Sequence, residues 1–210
     1  MTSEFATIAP AQDRRVRRTR AALMRAAVAL VAERGTAAVP VSDIAEAADV
    51  SRQVVYQQFG DRDTLLLQAA FELVREELLA HVVDDSRTPT GRPTALAMAR
   101  HFAEHRAFYR AMLTSSSAFA LNKSLAGLML PANRQLIQQA SGGQLDQHMV
   151  EDLAIFLTGG GAALVNTWVV DGEEPLDPEE FSDRLMLTVT AVTTAMGRPT
   201  TMTHDEEQRR

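Results

Sequence analysis

The chain has no cysteine among its 210 residues, and this absence removes several kinds of site. It excludes disulfides, thiolate ligands for metal ions and cysteine nucleophiles. A glycine-rich phosphate loop is also missing, because the glycines at 159–161 lie inside an apolar segment. No arrangement of serine and carboxylate residues suggests hydrolysis. We therefore predict that the protein is not an enzyme and holds no cofactor.

Long apolar runs and a signal sequence are also lacking. No uninterrupted apolar run approaches the length of about 20 residues that crosses a bilayer. The first ten residues contain Glu4 and no basic residue, unlike the basic start of a signal peptide. We predict a cytoplasmic protein with no membrane partner.

Basic charge is scarce overall but concentrated near the N-terminus. Residues 1–64 hold nine arginines against eight acidic residues, a net charge of +1. Residues 65–210 hold twelve basic against nineteen acidic residues, a net charge of -7. Six arginines and no acidic residue lie in the segment 14–25. This distribution is typical of a small DNA-binding surface on an acidic protein.

Two-residue alternation is not sustained anywhere, whereas apolar residues recur at helical spacing. We predict an all-α protein of about nine helices, with Pro131 kinking or splitting one of them. The helices are expected at about 14–34, 41–48, 52–59, 61–81, 93–104, 106–114, 118–140, 145–171 and 178–196. The expected domains are a DNA-binding head (13–62) and a ligand-binding and dimerisation domain (63–197), flanked by a disordered arm (1–12) and tail (198–210).

The segment 41–65 predicts two short helices joined by a tight turn, followed by another helix. Ser51 and Asp61 suit the N-caps of the second and third of these helices. The second helix carries donor-rich side chains that suit a groove of DNA.

Three stretches resemble the TetR family of bacterial repressors. They are L-M-R-A-A-V-A-L-V-A-E-R-G at 23–35, V-S-D-I-A-E-A-A-D-V-S at 41–51 and V-Y-Q-Q-F-G-D-R-D-T-L-L at 55–66. The rest of the chain matches only in its layout of helices. Two residues depart from the pattern. Asp49 stands where glycine is common, at a position that tends to need a positive φ, and Pro40 stands where threonine is frequent.

The resemblance implies that the helix at 52–59 enters the major groove of DNA. Arg52 and Gln53 would reach base edges, Val54 would contact a thymine methyl or pack in the core, and Tyr56 would contact phosphate. Val55 and Phe59 are expected in the core. The predicted DNA-binding residues are Arg14, Arg15, Arg17, Arg18, Thr19, Ser42, Ser51, Arg52, Gln53, Val54, Tyr56, Gln57 and Arg62.

The arginines at 14–20 have two interpretations. They form either a solubilising tail or a clamp on the minor groove or the DNA backbone, and we favour the clamp. Thr19 and Ser42 are placed at helix starts, where hydroxyl and N–H groups hold phosphate.

Apolar residues of the C-terminal domain predict an effector pocket and a dimer interface. The candidate pocket residues are Phe102, Tyr109, Met112, Phe119, Met129, Phe156 and Trp168. The candidate interface residues are Leu153, Leu157, Gly160, Gly161, Leu164, Leu185, Val189 and Val192. His101 and His105 have a spacing that can bind metal, but no third ligand is evident and no metal site is predicted.

These patterns together predict a homodimeric repressor that binds a near-palindromic operator on double-stranded DNA and is released by a small, apolar effector. One alternative is a regulator of this type without an effector, or one that activates transcription. Another is a helical enzyme or cofactor carrier with an incidental helix-turn-helix. The sequence does not identify the effector.

Overall fold

The computed structural model describes residues 10–79 and 91–196. Over these residues there are nine α-helices, one π-helical turn and no strand, which confirms the predicted all-α class. The helices are α1 (Pro10–Arg34), α2 (Val41–Ala47), α3 (Arg52–Phe59), α4 (Arg62–Val74), α5 (Arg92–Glu104), α6 (Arg106–Leu113), α7 (Ala118–Ala140), α8 (Gln147–Asp171) and α9 (Pro178–Met196). The predicted tail and residues 1–9 of the predicted arm lie outside the described residues.

The first helix begins earlier than predicted. α1 starts at Pro10, so the last three residues of the predicted disordered arm are helical. Proline suits the first turn of a helix, because its missing N–H would have no partner within the helix there. The arginines at 14–20 therefore belong to a helix and not to an extended arm.

α4 ends sooner than predicted. Its start is capped as expected, since the carboxylate of Asp61 accepts a hydrogen bond from the Thr64 N–H at 2.7 Å. That backbone hydrogen bond lowers the pKa of Asp61 from its ordinary value. After Val74 the chain forms a π-helical turn, Arg75–Leu79, instead of continuing as α-helix toward residue 81. Such a turn changes the direction of the side chains that follow it.

α7 runs through Pro131 without a break, so the predicted split does not occur. Proline removes the hydrogen bond that its N–H would make to the carbonyl of residue 127. Both Pro131 and Gly127 are exposed, so water can hydrate that carbonyl and the helix can continue.

The larger of two buried apolar clusters extends from the N-terminal helices into the rest of the protein. Leu23, Ala27 and Val31 of α1 are fully buried and lie at helical spacing. The same cluster continues through Leu66 of α4 to Tyr109 of α6. Accordingly, α1 packs against α4 and α6 as well as α2. The domain boundary after residue 62 stays a prediction.

α8 corrects the expectation about long apolar runs. By length and composition it is long and apolar enough to cross a membrane, with a mean hydropathy of 1.6. Counting uninterrupted apolar residues missed it, because the Thr158 and glycine positions interrupt the run while hardly reducing its hydropathy. Glu151 in this helix pairs with Arg134 of α7 at 2.6 Å. The side-chain amide of Asn166 donates a hydrogen bond to the side-chain oxygen of Asn122, also in α7, at 2.8 Å. These polar contacts attach one side of α8 to α7.

Candidate nucleic-acid interface

The turn between α2 and α3 is closed by a residue in the left-handed conformation. Asp49 has a φ of 52°, as predicted. The N–H of Val50 donates to the carbonyl of Ala45 at 2.9 Å, and the N–H of Asp49 donates to the carbonyl of Glu46 at 3.0 Å. These bonds form a Schellman motif with Asp49 in the position where glycine is most frequent. The motif fixes the direction in which α3 leaves α2.

α3 has one buried face and one exposed face. Val55 is fully buried and Phe59 is 6% exposed, so both are core residues as predicted. The exposed face carries Arg52, Gln53, Tyr56 and Gln57. The Tyr56 side chain, with 47% of its surface exposed, is on the solvent side and not in the core. An α-helix fits the major groove, so this face can present donors to bases and phosphates.

Two residues beside this face have mixed environments. Val54 is half-buried and packs against the core, so its predicted core contact is present. Ser51 occupies the N-cap of α3 as predicted, but its side chain makes no capping hydrogen bond. Its hydroxyl therefore contributes little to holding α3 in place.

The arginines Arg14, Arg15, Arg17 and Arg18 are all exposed on α1. A helix with its side chains is about 10–12 Å across, whereas the minor groove is about 6 Å wide. The helix itself is therefore too wide to enter the minor groove, whereas its exposed arginine side chains can reach phosphates or the groove edge, and the clamp stays a prediction. Thr19 lies inside α1, so the predicted contact at a helix start does not apply to it.

Arg20 has a structural role that the sequence did not reveal. Its guanidinium carbon lies 4.2 Å from the centroid of the Phe59 ring. The same group donates hydrogen bonds to the carbonyl of Gln58 and to the side-chain oxygen of Gln68. One side chain of α1 therefore connects to both α3 and α4.

Two predicted phosphate contacts already have acidic neighbours. The hydroxyl of Ser42 donates to Asp43 at 3.0 Å, and Asp43 also pairs with Arg34 at 2.6 Å. The hydrogen bond from Arg34, followed by that from Ser42, lowers the pKa of Asp43. Arg62 pairs with Asp63 at 3.0 Å. Exposed ion pairs are weak, so a phosphate can compete for these donors.

Two sequence patterns of known families match the chain. The pattern of bacterial regulatory proteins of the tetR family matches residues 23–69. A pattern of transcriptional regulator C-terminal regions matches residues 92–191. The chain belongs to the TetR family of transcriptional regulators.

Several solved structures share the fold of this TetR-family chain. A protein from Rhodococcus sp. described as a TetR-family transcriptional regulator has a TM-score of 0.58 and 20% identity, covering 84% of this chain and 98% of that chain. NalD, the secondary repressor of the MexAB-OprM multidrug efflux pump in Pseudomonas aeruginosa, has a TM-score of 0.56 and 19% identity, covering 84% and 96%. DhaS, an activator of a dihydroxyacetone kinase operon, has a TM-score of 0.57 and 16% identity, covering 84% and 97%. Identities this low show the fold alone, and no curated protein matches the sequence.

The candidate pocket residues of this TetR-family protein do not form one group. Four of them are buried in the core: Phe102, Tyr109, Met112 and Trp168. The other three are exposed: Phe119, Met129 and Phe156. The exposed fractions of Phe119 and Phe156 are 81% and 65%, so neither can line an internal cavity of a single subunit.

Two open clefts have other linings. One, of about 990 Å³, lies beside α6 and includes Arg106, Arg110 and Leu176. The other, of about 670 Å³, lies between α1 and α4 and includes Met24 and Phe71. Both form between elements that are distant in sequence, so helical periodicity could not indicate them.

The candidate interface residues of the TetR-family chain also divide into two groups. Leu157 and Leu185 are 8% and 9% exposed, which places them inside their own subunit and corrects their assignment to the interface. Gly160 is exposed, and the others are partly exposed: Leu153, Gly161, Leu164, Val189 and Val192. Larger apolar side chains are more exposed, namely Ile155 at 53%, Phe156 at 65% and Leu187 at 71%.

A cluster of three titratable groups lies where α4 ends. Glu77 of the π-helical turn lies 2.6 Å from Nδ1 of His101 and 2.8 Å from Nε2 of His105 through its two carboxylate oxygens. Nε2 of His101 lies 2.8 Å from the hydroxyl of Tyr109. No third ligand beside the two histidines is evident from the sequence, and the position of Glu77 corrects that expectation.

Burial and hydrogen bonding set the charges in this cluster. Burial lowers the pKa of His101, against the opposing effect of its hydrogen bond with Glu77. For Glu77 burial acts to raise the pKa, but the hydrogen bonds from His101 and His105 outweigh it and the pKa is lowered. Burial, with a smaller effect from Glu77, raises the pKa of Tyr109. These directions favour the charged form of the Glu77 carboxylate and the neutral form of the His101 imidazole.

Proposed function

We propose that this TetR-family regulator binds a near-palindromic operator on double-stranded DNA as a homodimer, represses transcription from it, and is released by a small effector. The observation that carries the proposal is the exposed polar face of α3, which is fixed from behind by the buried Val55 and Phe59. Arg52 and Gln53 stand at the N-terminal end of that face, where a recognition helix meets base edges. The cytoplasm is the compartment that this function requires.

Dimerisation is supported by apolar surface on the last two helices. Ile155 and Phe156 of α8 and Leu187 of α9 are all more than half exposed. Large apolar side chains that are this exposed are the kind of surface that a protein partner covers. A second copy of the same surface would cover them in a symmetric four-helix contact.

The glycines of α8 support the same arrangement. A Cβ added at Gly159, Gly160 or Gly161 would meet no atom within 4 Å in the subunit. The subunit itself therefore does not require glycine at these positions, although glycine weakens a helix by about 0.5–1 kcal/mol per residue relative to alanine. Close approach of a helix from a partner subunit provides a reason for their presence.

Release by an effector would occur by a shift of population. An effector that binds better to a state with wrongly spaced heads would reduce the population of the DNA-binding state. α4 follows α3 in the chain and packs against α7 of the C-terminal region. It is the element through which the distance between the two DNA-binding heads would change. An apolar effector remains our expectation, with the core between α5, α6 and α8 as its location.

We propose repression and not activation because it requires only occupancy of the operator. A dimer bound to an operator near a promoter hinders transcription without any further contact. Among structures of similar fold, NalD is a repressor and DhaS an activator, so the fold supports either sign.

Selection of bound fragments from random duplex DNA tests the proposal. The expected result is a near-palindrome with half-sites one or two helical turns apart, bound with an affinity that falls steeply with salt. Loss of enrichment in a protein in which Arg52 and Gln53 are both alanine serves as the control. Enrichment of a single unpaired half-site, or of no sequence, would be incompatible with a dimeric operator-binding protein.

A further inference from the structure

We propose that Glu77, His101 and His105 form a binding site for one divalent transition-metal ion per subunit, of the Zn²⁺ class. One ligand atom from each of the three residues lies within 4.8 Å of the other two. The set therefore converges on one point, and the proposal does not depend on DNA binding or on dimerisation.

The backbone brings these groups together from two separate elements. His101 is in the last turn of α5 and His105 is its C-terminal cap, so the pair is one helical turn apart. Glu77 comes from the π-helical turn Arg75–Leu79. Turns of this kind occur frequently at functional sites, because they redirect a side chain that a regular helix would point elsewhere.

The donor set selects the class of ion. Two imidazole nitrogens and one carboxylate match three-ligand Zn²⁺ sites, and they also suit Co²⁺, Ni²⁺ and Fe²⁺. Ca²⁺ and Mg²⁺ are disfavoured, since both prefer oxygen ligands and only one of these three groups provides oxygen.

The three side chains of the cluster differ in solvent exposure, as expected for a metal site that is open to solvent on one side. The side chain of His101 is 1% exposed, that of His105 is 19% exposed and that of Glu77 is 37% exposed. An ion can therefore enter past Glu77 and His105, and water can complete its coordination on that side.

Tyr109 supplies the support that metal-binding histidines usually have. Its hydroxyl contacts Nε2 of His101, the ring nitrogen that would not bind the ion. In the hydrogen-bonded cluster Nδ1 of His101 carries the proton, because a carboxylate can only accept, so Tyr109 donates to Nε2. With an ion on Nδ1 the proton moves to Nε2, which then donates to the Tyr109 oxygen. The Tyr109 hydroxyl can then donate to the carbonyl of Ala70 in α4, 3.5 Å away.

The simpler interpretation of these contacts is a metal-free brace, meaning that the hydrogen bonds of Glu77 to His101 and His105 only hold the π-helical turn after α4 against α5. A brace and a metal site share the same contacts but respond differently to metal. The brace needs no ion, and its replacement by amide side chains would change stability without changing any affinity for Zn²⁺.

The test is a calorimetric titration of the tag-free, full-length protein with Zn²⁺ after removal of metal with a chelator. We expect one ion per chain, and binding at least about tenfold weaker in each of Glu77→Gln and His105→Gln. His148→Gln is the matched control, because His148 is exposed on α8 and lies outside the cluster. Its Zn²⁺ affinity should equal that of the unchanged chain.

Co²⁺ provides a second measurement, since its visible absorption reports low-symmetry coordination by nitrogen and oxygen. That absorption should appear with the unchanged chain and with His148→Gln, and be lost in Glu77→Gln and His105→Gln. Thermal unfolding without metal establishes that each variant is folded. Absence of stoichiometric binding by the unchanged chain, or an unchanged affinity in either cluster variant, overturns the proposal.

Discussion

The guanidinium of Arg20 lies over the ring of Phe59 at 4.2 Å and connects the first helix of the DNA-binding head to its third. A cation over an aromatic face contributes about 0.5–2 kcal/mol, and charge-assisted hydrogen bonds to Gln58 and Gln68 add to it. Because Phe59 is the last residue of α3, this contact fixes the end of the recognition helix opposite to Arg52.

Replacing Arg20 with alanine should therefore lower the free energy of unfolding by about 1–3 kcal/mol. Lysine at this position keeps the positive charge but lacks the planar guanidinium with its several N–H donors, so Arg20→Lys should lose less stability than Arg20→Ala but more than none. Urea unfolding at a fixed protein concentration measures both effects. Arg25→Ala, an exposed arginine on the same helix, should change stability by no more than about 0.5 kcal/mol. Equal losses at Arg20 and Arg25 would argue against the contact.

Replacing Asp49 with glycine should stabilise the head. A left-handed conformation costs an ordinary residue about 1–2 kcal/mol and aspartate somewhat less, whereas glycine adopts it freely. After the greater flexibility of glycine in the unfolded chain is subtracted, a gain of up to about 1 kcal/mol is expected. Asp49→Val should lose about 2 kcal/mol, since a β-branched side chain is strained at positive φ. Glu46→Gly, at a nearby position inside α2, should lower the free energy of unfolding. If both glycine variants changed the free energy of unfolding in the same direction, the positive φ of Asp49 would not explain the effect.

Arg52→Ala should weaken binding to the selected operator by about 1–3 kcal/mol, roughly fivefold to 150-fold. Binding to random duplex DNA should change much less, because that affinity comes mainly from phosphate contacts. Fluorescence anisotropy with both DNAs at one salt concentration gives the comparison. Gln139→Ala, exposed on α7, is the control. A proportional loss on both DNAs would assign Arg52 to the phosphate backbone.

Replacing Arg14 and Arg18 with alanine together should reduce the salt dependence of DNA binding. Each arginine that contacts phosphate contributes about 0.9 to the slope of log affinity against log salt concentration. Arg184→Ala removes an exposed positive charge from α9 and should leave the slope as it is. If the double variant keeps the same salt dependence of DNA binding, these arginines are solvated and do not contact phosphate.

If the chain forms the proposed dimer, Phe156→Glu should convert it to a monomer at micromolar protein concentration. The change places two like charges across a symmetric contact in addition to removing apolar area. Sedimentation velocity measures the mass, and Val16→Glu places the same charge on an exposed apolar residue of α1 as a control. If the unsubstituted protein sediments as a monomer, it cannot bind two half-sites as a preformed dimer.

The helix-turn-helix could be predicted from the sequence because its determinants are local. Asp61 as a cap, Asp49 in the turn, and the spacing of Val55 and Phe59 all act within a few residues, and the structure contains each of them. The same local signals placed most helix ends within a few residues.

Contacts between distant segments could not be predicted in this way. Glu77 is 24 residues from His101, and it reaches the histidines only because the helix before it changes to a π-turn. Arg20 belongs to a run of arginines that look alike in sequence, and only the position of Phe59 distinguishes it. Apolar periodicity likewise cannot separate a buried residue such as Met112 from a surface residue such as Phe156, because core, pocket and interface share the same residue types.

The core that α1 shares with α4 and α6 limits how this head could be exchanged with that of a related regulator. A chimaera joined at residue 62 would separate the Asp61 cap from α4 and Arg20 from Gln68. Its new head would also have to match the surface that α6 offers to α1. If the outer face of α3 reads the operator as proposed, specificity should be easier to reprogramme by substitutions on that face than by grafting an entire domain.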